Sequence, residues 1–516
     1  MSRNTRALAL AVGALMVIAV VVTARRMSPI VTSSDLAITE FYTELATRGE
    51  LLAGPYSRFG WNHPGPIYFY VLAPFYAAGG HRAAALFAAA VAINLAAIFI
   101  LTWVVSREDR GPFLVLVTIA CLVIAWRVPR LLASPWTAHI PVLASIGFVV
   151  VCGAVIGGRY RLLPLLIVFG SFITQTHLSY VPMVGVLSSV AIAGVLVGHR
   201  RQAAAVLRIS AGLWVLLWLP TIIEASMNRG GNIAELWRFF VANGTGYRAT
   251  AESIANWSDA LNGILRPDLT LPWGGHFVPP PSGWRLPLAM GQVVGLWFVS
   301  WSSIRESRRV ESGIAACAAL ATMVGFWSIT RIQGDILDHE LLGLVALGAL
   351  NLAILGSALL RVVRPKAWRW HEQAATSASI AALVACTVVG IQHFRVFTSF
   401  ELRRTDTARI PASYDLLRDS FDQLGIRRPL FRMDGDAVSD GTGILLRLLQ
   451  TGRPFAVEEG TGSVVGNKFR KTGEEDALVN LSAREGLHLS YAARPGNIVV
   501  RDRNPLFVDL MPVRPK

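Results

Sequence analysis

The chain has 516 residues, 53% of them hydrophobic and only 16% charged, with a formal net charge of +15. A chain this apolar excludes an ordinary soluble enzyme, because several of its runs reach the roughly 18–20 residues that cross a bilayer. The charge excludes a nucleic-acid partner by its placement: from Arg395 onward 19 Lys and Arg stand against 16 Asp and Glu, so most of the excess lies between the apolar runs, where membrane orientation puts it.

Met1–Ala24 reads as a retained first helix. Ala7–Ala24 is long enough to span, and Arg25–Arg26 follow without a small-residue cleavage site. Residues 25–66 then form an external loop. On a helix, Ile38, Phe41, Tyr42 and Leu45 share one face, while Glu40 and Glu44 fall on the other. Glu44 and Arg48 make an i,i+4 pair. Asp35 lies about 60° from Ile38 and points toward the protein body. From the residues alone it reads either as a helix N-cap or as a working carboxylate. A Gly/Pro/aromatic run with Arg58, Trp61, Asn62 and His63 follows. Ile67–Ala78 is apolar but too short to cross, contains Pro74, and reads as interfacial or re-entrant, with Tyr68, Phe69, Tyr70, Phe75 and Tyr76 suited to the headgroup belt.

Hydropathy places about eleven spans, at 7–24, 83–105, 112–126, 137–157, 161–177, 180–198, 206–223, 286–304, 313–330, 341–360 and 375–394. With a cytoplasmic N-terminus, basic clusters such as Arg159/Arg161, Arg200/Arg201 and Arg305/Arg308/Arg309 fall inside; Arg25–Arg26 are the exception. Residues after Phe394 then lie outside the plasma (inner) membrane. The four cysteines, Cys121, Cys152, Cys317 and Cys386, sit in apolar runs without a CxxC, which indicates neither disulfides nor a thiolate metal site.

Polar groups near membrane depth are expensive, so the external loops hold the candidates. Arg127–Trp136 reads RVPRLLASPW. Thr174–Pro182 carries Gln175, Thr176 and His177, which either terminate a helix or bind a phosphate or sugar. The loop 225–285 carries Trp257, Trp273, His276 and Pro279–Pro281. Arg331–Glu340 carries Arg331, Asp335, Asp338 and His339. That cluster is either a solvated loop with local ion pairs or, through Arg331 or His339, a phosphate contact. Asp335 and His339 are also weak candidates for a divalent metal, with no metalloprotease-type fingerprint behind them. Residues 395–516 are charged and alternate strand-like runs (Pro429–Met433, Phe455–Val457, Ile498–Arg501, Phe507–Met511) with amphipathic helical ones (Ser413–Leu424, Gly443–Gln450), the pattern of a small α/β domain. The glycines of EEGTGSVVG read as a loop, since no lysine-terminated phosphate loop follows.

Asp35, the segment NHPGPIYFY at Asn62–Tyr70 and HRAAALFAAA at His81–Ala90 give the first hundred residues a resemblance to the GT-C class of membrane glycosyltransferases, of the protein mannosyltransferase and aminoarabinose transferase type (glycosyltransferase family 39). Beyond them the resemblance is one of topology. It departs from the family where Asp35 is followed by Leu36, and where RVPRLLASPW lacks an acidic residue. The resemblance implies a GT-C-like transmembrane domain over 1–394 and a soluble extracytoplasmic domain over 395–516. It implies an inverting transfer of a sugar from a polyprenyl-phosphate-linked donor to an envelope glycan, lipid or protein. Asp35 would take the proton from the acceptor hydroxyl. Glu40, Arg58, Trp61, Asn62, His63, Gln175, His177, Arg331 and His339 would contact substrate, the cations facing the lipid phosphate. Trp61 and Trp136 would either stack on sugar faces or anchor at the interface. A transporter or flippase is the competing class, and it requires charges within the spans or two related halves. A non-catalytic scaffold is the third.

Overall fold

The computed structural model describes residues 29–57, 59–107, 111–128, 130–227, 230–242, 248–266, 283–363, 372–404, 406–435, 437–458, 464–482 and 507–512. The first apolar segment, Arg25–Arg26, Arg58, Trp273, His276, Pro279–Pro281, most of the EEGTGSVVG glycine loop and the strand expected at Ile498–Arg501 lie outside the described residues.

In chain order the helices are α1 (Ser34–Thr47), α2 (Ile67–Ala78), α3 (Ala84–Ser106), α4 (Pro112–Arg127), α5 (Pro141–Ile156), α6 (Leu163–Thr176), α7 (Val181–His199), α8 (Ala204–Met227), α9 (Gly231–Trp237), α10 (Thr250–Leu261), α11 (Arg285–Arg305), α12 (Arg309–Ile329), α13 (Asp338–Val363), α14 (Glu372–Leu402), α15 (Arg409–Leu424) and α16 (Val438–Gln450). The chain divides into two compact units, one from the chain up to Ala89 together with Val396 onward, the other Ala90–Arg395. Six described helices are long and apolar enough to cross a membrane: α3, Leu178–His199, α8, α12, α13 and Ala375–Leu402. Helices α4, α5, α6 and α11 occupy four further expected spans, but the first three are shorter than 18 residues and α11 carries arginine at both ends.

In the second unit α5 is buried from Pro141 to Val155, as an all-round apolar helix must be. It meets α12 at backbone distance. A Cβ on Gly313 would sit 2.2 Å from the Gly153 carbonyl oxygen, and one on Gly157 would sit 2.4 Å from the Val310 Cα. Gly153 and Gly157 are four residues apart on one face, the small-residue spacing that lets membrane helices close up. A polar chain ties α11, α12 and α13: Gln292 donates to Asn262 (2.9 Å), and Asn351 donates to Gln292 and to Thr322 (3.0 Å each). By contrast α8 turns Ile209, Trp214, Val215 and Leu216 outward.

In the first unit a four-stranded sheet has the order β2-β1-β3-β4, with β1 (Pro429–Met433), β2 (Ala456–Val457), β3 (Ala477–Ser482) and β4 (Phe507–Pro512). Strand β1 runs parallel to β2 and β3, and β3 is antiparallel to β4. Helix α16 supplies the crossover that the parallel pair β1–β2 requires. Strand β3 alternates buried and half-buried positions, and sequence reading passed over it because Asn480 interrupts its apolar run. Phe41 of α1 packs edge-on against Phe469 at 5.3 Å, and Phe469 stacks on Phe455 at 4.8 Å, so α1 and the segment after β1 share one core.

Two expectations change here. The α1 face carrying Glu40 and Glu44 is as buried as the apolar face, because α16 and α2 cover it. In α2, Tyr68, Phe69 and Tyr76 are buried in protein, where their rings fill the gap under α1 instead of forming a headgroup belt; only Tyr70 and Phe75 are half-exposed.

Candidate functional site

Helix α1 starts with an irregular turn. Ser33 is the N-cap, with extended backbone and no side-chain cap bond, and Ser34 adopts the left-handed φ of +53°. A non-glycine residue there costs on the order of 1 kcal/mol or more, and such positions concentrate at working sites. Asp35 therefore stands in the first helical turn and is not the cap, so the N-cap alternative falls. Its carboxylate is half-buried beside the positive end of the helix dipole. The Tyr56 hydroxyl donates a short hydrogen bond to Asp35 Oδ1. Oδ2 accepts no hydrogen bond among the described residues. Burial and then the Asp35 charge push the Tyr56 phenol above its ordinary range, so Tyr56 acts as a donor that orients the carboxylate.

The loop that delivers Tyr56 is a tight hairpin. Ser57 N–H donates to the Trp61 carbonyl (2.9 Å) and His63 N–H to the Pro55 carbonyl (2.7 Å), with a bridge between Tyr56 and Asn62. Gly54 is required by close approach, since a Cβ would lie 2.4 Å from the His63 carbonyl oxygen. Asn62 donates to the Gly54 carbonyl (3.0 Å) and to Tyr42 (3.4 Å), whose own hydroxyl donates to the Val464 carbonyl (2.7 Å). Trp61 lies edge-on to His63 at 5.5 Å, and both are buried. The structure thus brings Asp35, Trp61, Asn62 and His63 into one hairpin-and-helix cluster, with Tyr56 as the member that sequence reading missed. An aromatic five residues before a Trp in a Gly/Pro-rich loop carried no signal of its own.

Glu40 sits farther along α1. It accepts from Thr32 (2.7 Å), Tyr76 (2.9 Å) and Gln450 (3.3 Å), and burial lifts its carboxyl from 4.5 to about 7. Glu44 holds Arg48 (2.7 Å), the pair expected from spacing, and also His81 (2.7 Å).

In the second unit the remaining candidates separate. Gln175 is fully buried and donates to the Leu217 carbonyl (3.0 Å), and His177 bonds Ser179 (2.8 Å) and caps a short turn. Both therefore terminate and brace helix ends, one of the two alternatives for them. Asp335 lies in a bend, residues 335–337 are not helical and α13 begins at Asp338, so the four-residue spacing does not stack Asp335 under His339. His339 instead packs against Trp136 (4.7 Å), which also meets His139 (5.0 Å), and its Nδ1 is 3.7 Å from Asp338. Asp338 is 3% exposed and its Oδ2 is buried without a hydrogen bond among the described residues. Arg331 lies over Trp327 at 5.9 Å. Among the described residues no three His, Cys, Asp or Glu side chains converge to hold a metal ion, Asp335 and His339 included. Trp257 is core: its indole donates to the Thr322 carbonyl (2.9 Å). Asp259, unnoticed in the sequence, is buried and pairs with both Arg266 and Arg285.

No family model matches the chain, and no curated protein matches it. Among solved structures, ArnT from Cupriavidus metallidurans bound to undecaprenyl phosphate is similar at a TM-score of 0.51 and 15% identity, covering 97% of each chain. The apo state of the same protein matches at a TM-score of 0.49 and 14% identity, covering 99% of this chain and 98% of that one. The likeness spans nearly the whole of both chains and shows the fold: this chain is built on the GT-C-type membrane architecture.

Proposed function

We propose that the protein is a GT-C-type membrane glycosyltransferase that moves a sugar from a polyprenyl-phosphate-linked donor to an extracytoplasmic acceptor, with Asp35 as general base. The observation that carries this reading is the Asp35 carboxylate: one oxygen is oriented by Tyr56, the other accepts no hydrogen bond among the described residues, and a buried helix holds both. The GT-C fold, and a structural neighbour crystallised with undecaprenyl phosphate, support the donor class.

In the reaction the acceptor hydroxyl gives its proton to Asp35 Oδ2 as its oxygen bonds the anomeric carbon. The anomeric carbon–phosphate oxygen bond breaks, its electron pair leaves with the lipid phosphate, and configuration inverts. Arg58, His63, Arg331 and His339 are assigned to the phosphate, where cationic donors stabilise the developing charge. Asn62 completes the proposed substrate contacts, and Trp61 and Trp136 the sugar faces. The inner-membrane location, the cytoplasmic N-terminus, the eleven spans and the extracytoplasmic position of residues 395–516 belong to the same proposal, since they put Asp35 and the donor sugar on one side.

The test is transfer from a polyprenyl-phosphate-sugar donor in proteoliposomes by Asp35→Asn, with expression as the folding control. Asn keeps the size of the side chain and accepts from Tyr56 but cannot take a proton. Normal expression with lost transfer supports the role; full activity removes Asp35 from the mechanism.

A further inference from the structure

The start of α13 holds a second carboxylate whose hydrogen bonding is incomplete. Asp338 opens the helix and is 3% exposed. Its Oδ1 accepts from the His339 backbone N–H (2.6 Å), while its Oδ2 is buried and accepts no hydrogen bond among the described residues. His339 Nδ1, 3.7 Å from Asp338 Oδ1, is buried in the same condition. A buried carboxylate oxygen without a donor is costly, and most buried polar groups in folded proteins have a partner. Here two such atoms stand on consecutive residues.

The surroundings say what kind of partner fits. The His339 ring packs on Trp136 at 4.7 Å, and Trp136 meets His139 at 5.0 Å. Trp136 and His339 are half-buried, so the cluster reaches the surface of the second unit through them. A ligand there has to donate a hydrogen bond to an acid oxygen and present an apolar face to an indole. Phosphate fails the first condition, because the carboxylate repels it. A metal ion is not served, since no three His, Cys, Asp or Glu side chains converge to hold one among the described residues. A sugar ring meets both conditions: its hydroxyls donate, and its C–H face packs on an aromatic ring.

We infer that Asp338, His339 and Trp136 form a sugar subsite, in which Asp338 Oδ2 accepts from one ring hydroxyl and His339 Nδ1 engages a neighbouring one. The inference rests on the reading of the protein as a user of lipid-linked sugars, and it adds the groups that recognise the sugar. The phosphate contact proposed for His339 falls to its other ring nitrogen, Nε2. Asp338 binds and takes no proton, so its test reads binding and not transfer. The sugar belongs either to the donor lipid or to the acceptor.

The experiment uses the full chain in nanodiscs and measures affinity by calorimetry. The probes are undecaprenyl phosphate, bare or carrying glucose, mannose or arabinose. For at least one of the three the sugar raises affinity about tenfold, the scale of one hydrogen bond to a charged group. Asp338→Ala removes that gain and leaves the affinity for bare undecaprenyl phosphate unchanged, whereas a purely structural role lowers both. If Asp338→Ala fails to express, Asp338→Asn cuts the gain about threefold, because a hydrogen bond to a neutral oxygen is roughly half as strong. A second arm titrates the methyl glycosides of the same sugars. An Asp338-dependent gain on the lipid assigns the subsite to the donor sugar. Asp338-dependent glycoside binding without a gain on the lipid assigns it to the acceptor. Absence of both overturns the subsite, as does a gain that survives undiminished in the Asp338 variants. The transferase reading fails separately, by full transfer in Asp35→Asn or by no transfer in the parent, whatever Asp338 binds.

Discussion

Helices α1 and α8 invert the familiar link between polarity and burial. Helix α1 carries Asp35, Glu40 and Glu44, yet it is buried from Leu36 to Ala46. Helix α8 is almost wholly apolar, yet it exposes Ile209, Trp214 and Leu216, the last at 62%. The reason is the solvent. Where lipid surrounds a helix, leaving apolar groups outside costs nothing, and protein burial is free to shelter polar ones. What shelters them is hydrogen bonding: both Glu40 oxygens and both Glu44 oxygens have partners. The contrast also separates roles, since α8 offers only a surface while α1 offers carboxyl groups held by named partners.

The largest effect expected of this contrast is on α1. Asp35→Asn lowers transfer about 10²–10⁴-fold, the usual loss for a general base, with expression unchanged. An equal loss from an apolar substitution on the outer face of α8 would break the separation of roles.

Helix α8 supplies the reciprocal test. Leu216→Arg puts a charge at mid-helix, where insertion costs about 2.5–3.5 kcal/mol. The inserted, protease-protected fraction of the protein should fall; full insertion would show that this face does not meet lipid.

Glu40→Gln sharpens the contrast through pH. The folded carboxyl titrates at about 7 and the unfolded one at 4.5, so the folded state holds the extra proton between those values. Stability contributed by that proton is fully present below about 4.5 and is lost as pH rises through 7. The Gln variant should therefore melt higher than the parent at pH 8, by at most about 3 kcal/mol, and converge with it at pH 4.5. Parallel melting curves across that range would mean that the Glu40 proton is not linked to folding.

Tyr56→Phe is the smallest change. It removes the donor that orients Asp35 and leaves the helix intact. Transfer should drop about tenfold, the scale of one hydrogen bond to a charged group. Unchanged kcat would reduce Tyr56 to a packing residue.

The sequence by itself determined the membrane class, because apolar runs of spanning length need no tertiary information. It determined β1, β2 and β4, and the Glu44–Arg48 pair, because each is a local pattern. It also placed Asp35 and Trp61–His63 in one stretch of loop. Tertiary structure alone decided the rest. That Ser33 and not Asp35 caps α1 depends on one left-handed residue, which no periodicity reports. That Tyr56 holds Asp35 depends on a hairpin closing over 21 residues of chain. That Gln175 and His177 brace helix ends depends on Leu217 and Ser179 being where they are. That Glu40 is a buried acid depends on Gln450, 410 residues away in sequence. Periodicity tells which residues share a face; it does not tell what covers that face, and a carboxylate takes its chemistry from its cover.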